Sequence, residues 1–90
     1  MSARFERSID GRQLVVTNMG PSHARLIAVE VLDPPIKLRG HPDLEDIHLL
    51  NGGEYRMRAY VSWDTPPPVK VKMVWVDSRG EQSLEQNVSL

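Results

Sequence analysis

Apolar and polar residues alternate along most of this 90-residue chain, and this alternation constrains its fold more than any other feature. A period of two places successive side chains on opposite faces of a β-strand. The pattern runs through residues 12–18, 25–32, 54–62 and 69–76, and a further apolar set lies in 82–90. Helical periodicity is nearly absent. The sequence therefore predicts an all-β domain whose strands each bury one face.

Glycine-containing turns indicate how these segments pair. Asp10-Gly11 and Asn51-Gly52 are two-residue hairpin signals, because both residue types tolerate positive φ. A third turn is expected at 77–80, where glycine again suits a left-handed position. The predicted hairpins join 3–9 to 12–18, 46–50 to 53–62, and 69–76 to 82–89.

Proline-containing links separate the hairpins. The links at 18–24, 33–46 and 63–68 are longer than the turns and contain proline. Proline cannot donate a ladder hydrogen bond, so we expect the chain to leave one sheet and cross to another there. About seven short antiparallel strands with such crossings predict a single immunoglobulin-like β-sandwich of two sheets over residues 1–90. The segment 42–49 is expected to form at most one helical turn.

The composition narrows the classes of function. The chain has no cysteine, so neither a disulfide framework nor a thiolate metal site holds it together. A formal net charge of -1 gives no basic excess for binding nucleic acid or an anionic membrane surface. Charges interrupt every apolar run, and the N-terminus lacks a secretory signal. We expect a cytoplasmic protein, or a module from a longer chain that is secreted or membrane-anchored.

Three short motifs accompany the predicted strands and turns. They are Leu14-x-Val16-x-Asn18-x-Gly20-x-x-x-Ala24 with Val29-x-Val31, then Leu50-Asn51-Gly52-Gly53-Glu54-Tyr55, then Val74-Trp75-Val76-Asp77-Ser78-Arg79-Gly80-Glu81. This set resembles bacterial immunoglobulin-like modules of the CARDB type, although the long charged segment 33–46 departs from their pattern. The resemblance implies a spacer or adhesive unit of a larger protein, with no shared catalytic residues.

The second face of two predicted strands is also apolar. If Ile27, Val29 and Val31 face the core, their neighbours point outward, and so does part of the 69–76 run. In an immunoglobulin-like sandwich these two strands lie side by side. The resulting outer patch consists of Leu26, Ala28, Val74 and Val76, bordered by Glu30, Lys70 and Lys72. It predicts docking of a protein partner, a second copy or a neighbouring domain. The alternatives are that β-branched residues merely suit an exposed strand, or that 33–46 covers the patch.

A second binding hypothesis centres on Trp63. This residue follows Tyr60 in a proline-flanked loop of extended character, and its indole can anchor a carbohydrate or a peptide. The alternative is that Trp63 folds back and closes one end of the sandwich. Trp75 alternates with Val71 and Met73, so it is expected in the core.

Alternating cations raise a third binding hypothesis. Arg56, Arg58 and Tyr60 share one strand, and Lys70 and Lys72 share another. Side by side, they would form a platform for single-stranded nucleic acid. The proline-containing link between the two strands is expected to place them in different sheets, so we expect no nucleic-acid binding.

The remaining clusters predict no catalytic, metal or cofactor site. The run His41-Pro42-Asp43-Leu44-Glu45-Asp46-Ile47-His48 holds ligand-type residues but fits no standard ligand spacing, and we interpret it as a solvated acidic loop. Ser22 and His23 are adjacent, which makes the histidine a poor base for the serine. We expect no enzyme activity.

Overall fold

The computed structural model describes residues 1–9, 11–33, 35–39, 47–61 and 68–89. In these ranges the chain forms strands and no helix. The strands are β1 (Ser2–Ser8), β2 (Gly11–Thr17), β3 (Ala24–Asp33), β4 (Pro35–Arg39), β5 (His48–Leu49), β6 (Glu54–Tyr60), β7 (Val69–Asp77) and β8 (Gly80–Val88). No helix long and apolar enough to cross a membrane occurs in that part of the chain.

The strands form one antiparallel sheet in the order β1-β2-β6-β4-β3-β7-β8, and β5 pairs with β3 beside this path. β4 joins two halves, because it is hydrogen-bonded both to β6 and to β3. The first half is β1–β2–β6 and the second half is β3–β7–β8. The sheet curls so that its apolar face encloses the core. The antiparallel all-β class is therefore confirmed, and the separation into two sheets stays a prediction.

Two of the predicted hairpins are confirmed. β1 pairs with β2 and β7 pairs with β8, with Ser8 opposite Gly11 and Asp77 opposite Gly80. Both glycines have positive φ, 137° at Gly11 and 99° at Gly80, which side-chain-bearing residues rarely adopt. The link at 18–24 carries the chain from the first half to the second half, and its expected crossing between two separate sheets stays a prediction.

The predicted hairpin at Asn51-Gly52 is wrong. A turn does form there, with the Gly53 N–H donating to the Leu50 carbonyl at 2.7 Å. The strand before it, however, pairs with β3, and the strand after it pairs with β2 and β4. The physical reason is that the backbone of Asn18 is hydrogen-bonded to both glycines of the turn. The Gly52 N–H donates to the Asn18 carbonyl at 2.7 Å, and the Asn18 N–H donates to the Gly53 carbonyl at 2.9 Å.

The prediction that 33–46 only crosses between sheets is also wrong, because β4 lies within it. Proline occupies the first position of β4, a place that strands tolerate. Ile36 is then buried and Lys37 exposed, so a short alternation is present. Residues 42–46 of the predicted helical turn lie outside the described residues, and the last two residues of the predicted segment, His48 and Leu49, form β5.

One apolar core joins the two halves of the sheet. Leu14 and Met57 come from the first half, and Val29 and Met73 come from the second. Trp75 belongs to the same cluster and is 7% exposed, so its predicted place in the core is confirmed. Burial of these side chains, contributed by both halves, stabilises the curled sheet.

Candidate functional site

The predicted outer patch is wrong at Leu26. This side chain is fully buried in the core cluster, at 0% exposure. The cause is a β-bulge in β3. Leu26 lies opposite Trp75 and Ala28 lies opposite Val74, so Ile27 is one extra residue between two consecutive partners. A bulge shifts the inward and outward alternation of a strand by one position. Ile27, which was expected in the core, is half-buried and does not pack against the core cluster.

The remaining members of the patch lie together as expected. Ala28 and Val74 face each other across the ladder, half-buried and outside the core cluster. Val76 lies one row away, between Arg25 on β3 and Glu81 on β8. The row on the other side consists of Glu30, Lys72 and Glu85. The outer face is therefore a narrow apolar strip between two rows of mixed charge.

The predicted ligand site at Tyr60 and Trp63 is described only in part. Tyr60 is the last residue of β6, lies opposite Lys37 and is 46% exposed. Trp63 lies outside the described residues. Neither its binding role nor its packing role is tested, and both stay predictions.

The cations proposed for nucleic-acid binding are divided between the two halves of the sheet. Lys70 and Lys72 lie on β7, while Arg56 lies on β6 in a closed ring of ion pairs. The ring runs Arg4–Glu6 at 2.8 Å, Glu6–Arg56 at 2.6 Å, Arg56–Glu54 at 3.2 Å and Glu54–Arg4 at 2.7 Å. Hydrogen bonds from the arginines lower the pKa of both glutamates. The ring is electrically neutral, which disfavours a phosphate backbone.

The ring also explains an unexpected burial. Val15 points away from the core cluster, yet its exposure is 0%. It lies between Arg4 and Arg56 in the β1–β2–β6 register, so the stems of these arginines cover it. We therefore assign the ring a structural role.

The site that sequence reasoning missed is at one end of the sheet. We call it the loop end, and it consists of the link 18–23, the segment 47–53 and the turn 77–80. All three segments connect strands at the same end. They were expected to serve as a crossing, a short strand and turns, and the ligand-type residues Ser22, His23 and His48 within them were not expected to form a site.

Asn18 organises the loop end. It is 3% exposed, and every polar atom of its side chain is used. Its Nδ2 donates to the carbonyls of Ser22 and Leu49, both at 2.8 Å, and its Oδ1 accepts from the Gly20 N–H at 3.0 Å. One buried amide thus fixes both the 18–22 link and β5. A buried polar group that is fully hydrogen-bonded in this way favours a single local conformation.

A second amide ties the loop end together. The Asn51 Nδ2 donates to the Gly20 carbonyl at 2.7 Å. This bond holds the 50–53 turn against the 18–22 link. Met19 and Leu50 remain strongly exposed on these segments, at 67% and 70%. Both side chains therefore offer apolar surface to a partner.

A cleft of about 330 Å³ opens at the loop end. Asn18, Gly20 and Pro21 line one side, and Trp75, Asp77 and Arg79 line the other. This volume lies at the lower limit of small ligand sites, and it is large enough for one or two side chains of a peptide.

The charged wall of the cleft is preorganised. Asp77 accepts hydrogen bonds from Trp75 Nε1 at 3.1 Å, from the Arg79 N–H at 2.8 Å and from Arg79 Nη2 at 2.9 Å. The pKa of Asp77 is lowered to about 2, mainly by the hydrogen bonds from Arg79 and to a smaller extent by the one from Trp75. The Asp77 side chain is 7% exposed and that of Arg79 is 71% exposed. Arg79 is therefore the charged group that the cleft exposes to solvent, while the Asp77 carboxylate is buried and hydrogen-bonded.

Ser22 and His23 have different partners at the loop end. The Oγ atoms of Ser22 and Ser78 are 3.1 Å apart, and Nε2 of His23 lies 2.9 Å from Nδ1 of His48. The serine and the neighbouring histidine thus form no nucleophile–base pair. A second, shallower hollow of about 410 Å³ lies beside the histidines.

Comparisons with protein-family models, with curated proteins and with solved structures find no match for this chain. Among the described residues, no three His, Asp or Glu side chains converge as a metal site. The one sequence signal for the loop end was an apolar residue beside each turn asparagine, Met19 after Asn18 and Leu50 before Asn51.

Proposed function

We propose that this chain is a non-catalytic interaction module that binds an extended segment of a partner protein at the loop end. The observation that carries the proposal is the cleft of about 330 Å³ at the loop end. Met19 and Leu50 do not line it, but they lie on the segments of the loop end and expose large apolar side chains. A concave site suits an anchor side chain of a partner, and exposed apolar residues nearby add contact area.

The charges of the cleft indicate the chemistry of that segment. The Arg79 guanidinium has five N–H donors, and Asp77 takes one of them at Nη2. Because the Arg79 side chain is 71% exposed, its other donors are accessible to a docking segment. A carboxylate next to the apolar anchor would pair with them in the fork geometry that arginine favours. The partner segment is therefore apolar and acidic.

The same geometry supports a binding role in place of a catalytic one. General acid–base catalysis works best with a pKa near the operating pH. The pKa of Asp77 is about 2, and three donors occupy its carboxylate. Because the hydrogen bonds of Asp77 are already formed, this side of the cleft loses little conformational entropy when a partner binds, which suits recognition.

We also propose that the fold is of the immunoglobulin-like class, in line with the resemblance to bacterial CARDB-type modules. The strand order supports this, since β1–β2–β6–β4 and β3–β7–β8 follow the order of the four-stranded and three-stranded sheets of such sandwiches, with β4 also paired to β3. In this class, loops at one end of the domain are a common binding surface. The loop end contains the β2–β3 and β7–β8 connections, which such a sandwich brings to one end and which would therefore carry its binding loops.

A peptide library tests the binding proposal. Phage-displayed random peptides are selected on the immobilised protein, and the affinity of the selected peptides is measured by fluorescence anisotropy. We expect sequences with an apolar residue near Asp or Glu. Met19→Ser with Leu50→Ser should weaken binding at least tenfold, and Arg79→Glu should weaken acidic peptides more than their amide analogues.

The control variant is Ile9→Ser. Ile9 is 104% exposed at the β1–β2 turn, at the opposite end of β2 from Asn18, so its removal should leave the affinity unchanged. Failure to select any peptide, or equal weakening by Ile9→Ser, would overturn the proposal.

The outer face is a second candidate, favoured by the Ala28–Val74 pair. We propose a second copy of this chain as its occupant, because Arg25 and Glu81 lie at opposite edges of one row and can face each other across a two-fold axis. Sedimentation equilibrium with Val74→Glu tests this proposal. A monomer both before and after the substitution would exclude it.

A further inference from the structure

Two imidazole rings meet at the edge of the loop end. Nε2 of His23 and Nδ1 of His48 are 2.9 Å apart, although the residues are 25 positions apart in the sequence. The ring planes are 18° from parallel and the centroids are 4.8 Å apart. The rings are therefore stacked, with these two nitrogens as their closest polar atoms, and both side chains are exposed.

The backbone beneath the two histidines is held in place. β5 pairs with the start of β3, with Arg25 opposite His48, and the Leu26 N–H donates to the Ile47 carbonyl at 2.9 Å. The Asn18 amide adds a bond to each side, because it donates to Ser22, next to His23, and to Leu49, next to His48. The approach of the two rings therefore depends on the framework of the loop end.

We propose that His23 and His48 form a two-histidine site for a divalent transition-metal ion such as Zn²⁺, Cu²⁺ or Ni²⁺. Imidazole nitrogen is a preferred ligand for these ions, and hard ions such as Mg²⁺ prefer oxygen. Zn–N bonds of about 2.0–2.1 Å place two nitrogens of a tetrahedral site about 3.3 Å apart. The present separation of 2.9 Å is close to this value. The two exposed rings turn out of their stacked arrangement so that both in-plane lone pairs point at the ion.

Binding exchanges a hydrogen bond for two coordinate bonds. In the hydrogen-bonded pair, one facing nitrogen carries a proton and the other accepts it. When the metal enters, the donor ring moves its proton to its other nitrogen, so both facing nitrogens offer lone pairs. Both ligands are then neutral imidazoles, and no net proton is released from them.

The surroundings determine the rest of the coordination. The hollow of about 410 Å³ is lined by both histidines, Ser22, Ser78, Arg25 and Asp77, and it has room for water ligands. Asp77 is engaged by Arg79 and Trp75, and Arg25 brings a positive charge. Among the described residues we therefore infer two protein ligands with open positions, which is the arrangement of an exchangeable site and not of a closed structural one.

This inference does not rest on the peptide-binding proposal. Peptide binding is read from Met19, Leu50 and Arg79 variants without metal, and metal binding is read without peptide. Either can fail while the other holds.

Nitrogen NMR of the histidine rings tests the site directly. ZnCl₂ is titrated into the ¹⁵N-labelled protein, and the long-range ¹H–¹⁵N spectrum of the imidazoles is recorded. We expect saturable one-to-one binding in which His23 Nε2 and His48 Nδ1 take up the shifts of metal-bound nitrogen. MgCl₂ at the same concentrations should leave the spectrum unchanged.

Matched variants give an independent measurement by calorimetry. His23→Gln and His48→Gln should each weaken Zn²⁺ binding at least tenfold, which corresponds to about 1.4 kcal/mol. Glu85→Gln removes an exposed carboxylate of β8 that lies outside the hollow and is the control, with an expected change of less than twofold. Unmoved His23 nitrogens, the absence of saturable binding, or equal weakening by Glu85→Gln would overturn the proposal.

Discussion

The side-chain amide of Gln86 pairs with both backbone polar groups of Ala3. The Ala3 N–H donates to Gln86 Oε1 at 3.1 Å, and Gln86 Nε2 donates to the Ala3 carbonyl at 3.1 Å. Ala3 lies on β1 and Gln86 on β8, the two ends of the strand order. The amide thus takes the place of a neighbouring strand and closes part of an edge that would otherwise invite pairing with another chain.

Substitution of Gln86 should loosen this closure. We expect Gln86→Ala to lower the free energy of unfolding by about 1–3 kcal/mol, because two backbone groups lose their partners in a half-buried place. Gln86→Glu should cost at least as much, since a carboxylate cannot donate to the Ala3 carbonyl. Urea unfolding measures both, and Glu85→Ala, on the exposed face of β8, is the control. No difference between Gln86→Ala and the control would contradict the role.

Asn18 should be the most sensitive polar residue of the loop end. Asn18→Asp replaces a donor that bonds two carbonyls at 2.8 Å with a carboxylate oxygen, so repulsion is added to the lost bonds. We expect Asn18→Ala to cost about 2–3 kcal/mol and Asn18→Asp to cost more. Asn51→Ala, an exposed amide with one bond to Gly20, should cost less than about 1.5 kcal/mol. Equal costs at the two asparagines would contradict this account.

The bulge in β3 reverses the order in which substitutions of Leu26 and Ile27 should destabilise the fold, compared with the order expected from simple alternation. Leu26 is fully buried and Ile27 is half-buried outside the core cluster. Leu26→Ala should cost about 2–5 kcal/mol, because it leaves a cavity in the core. Ile27→Ala should cost clearly less. Chemical denaturation of the two variants decides between the two registers, and the reverse ranking would show that the bulge is absent.

Asp77 should contribute to the acid dependence of stability. Its pKa falls from 3.8 to about 2 on folding, chiefly through hydrogen bonds from Arg79. A carboxyl whose pKa is lower in the folded state stabilises the fold above its ordinary pKa and loses that contribution as the pH falls through the folded value. The stability advantage of the unsubstituted chain over Asp77→Asn should therefore shrink between about pH 4 and pH 2. An advantage that stays constant over this range would contradict the hydrogen-bond network, and Glu85→Gln serves as the control.

The parts of the fold that were predictable depend on local signals. Alternation identified β2, β6 and β7, and glycine identified the turns at Gly11 and Gly80, because strand faces and positive φ are properties of a few neighbouring residues. β4 was not predicted because its alternation is short and begins with proline. The bulge at Ile27 was not predicted because isoleucine suits either face of a strand, so the residue type does not indicate the shift.

The loop end was not predictable, because contacts distant in the sequence build it. Asn18 bonds the Leu49 carbonyl across 31 positions, and His23 meets His48 across 25. Both contacts depend on β5 pairing with β3, whereas the turn residues Asn51-Gly52 indicated a hairpin with β6. The exposure of Met19 and Leu50 follows from the same unexpected pairing, which turns the 50–53 segment against the 18–22 link.

The most direct test of the account is an NMR footprint of a library-selected peptide on the ¹⁵N-labelled protein. The account predicts that amide shift changes cluster at the loop end, at Met19, Leu50 and Arg79, together with the indole N–H of Trp75. Changes confined to the outer face around Ala28 and Val74, or to Tyr60 at the opposite end, would contradict the central claim that this protein binds its partner through the loop end.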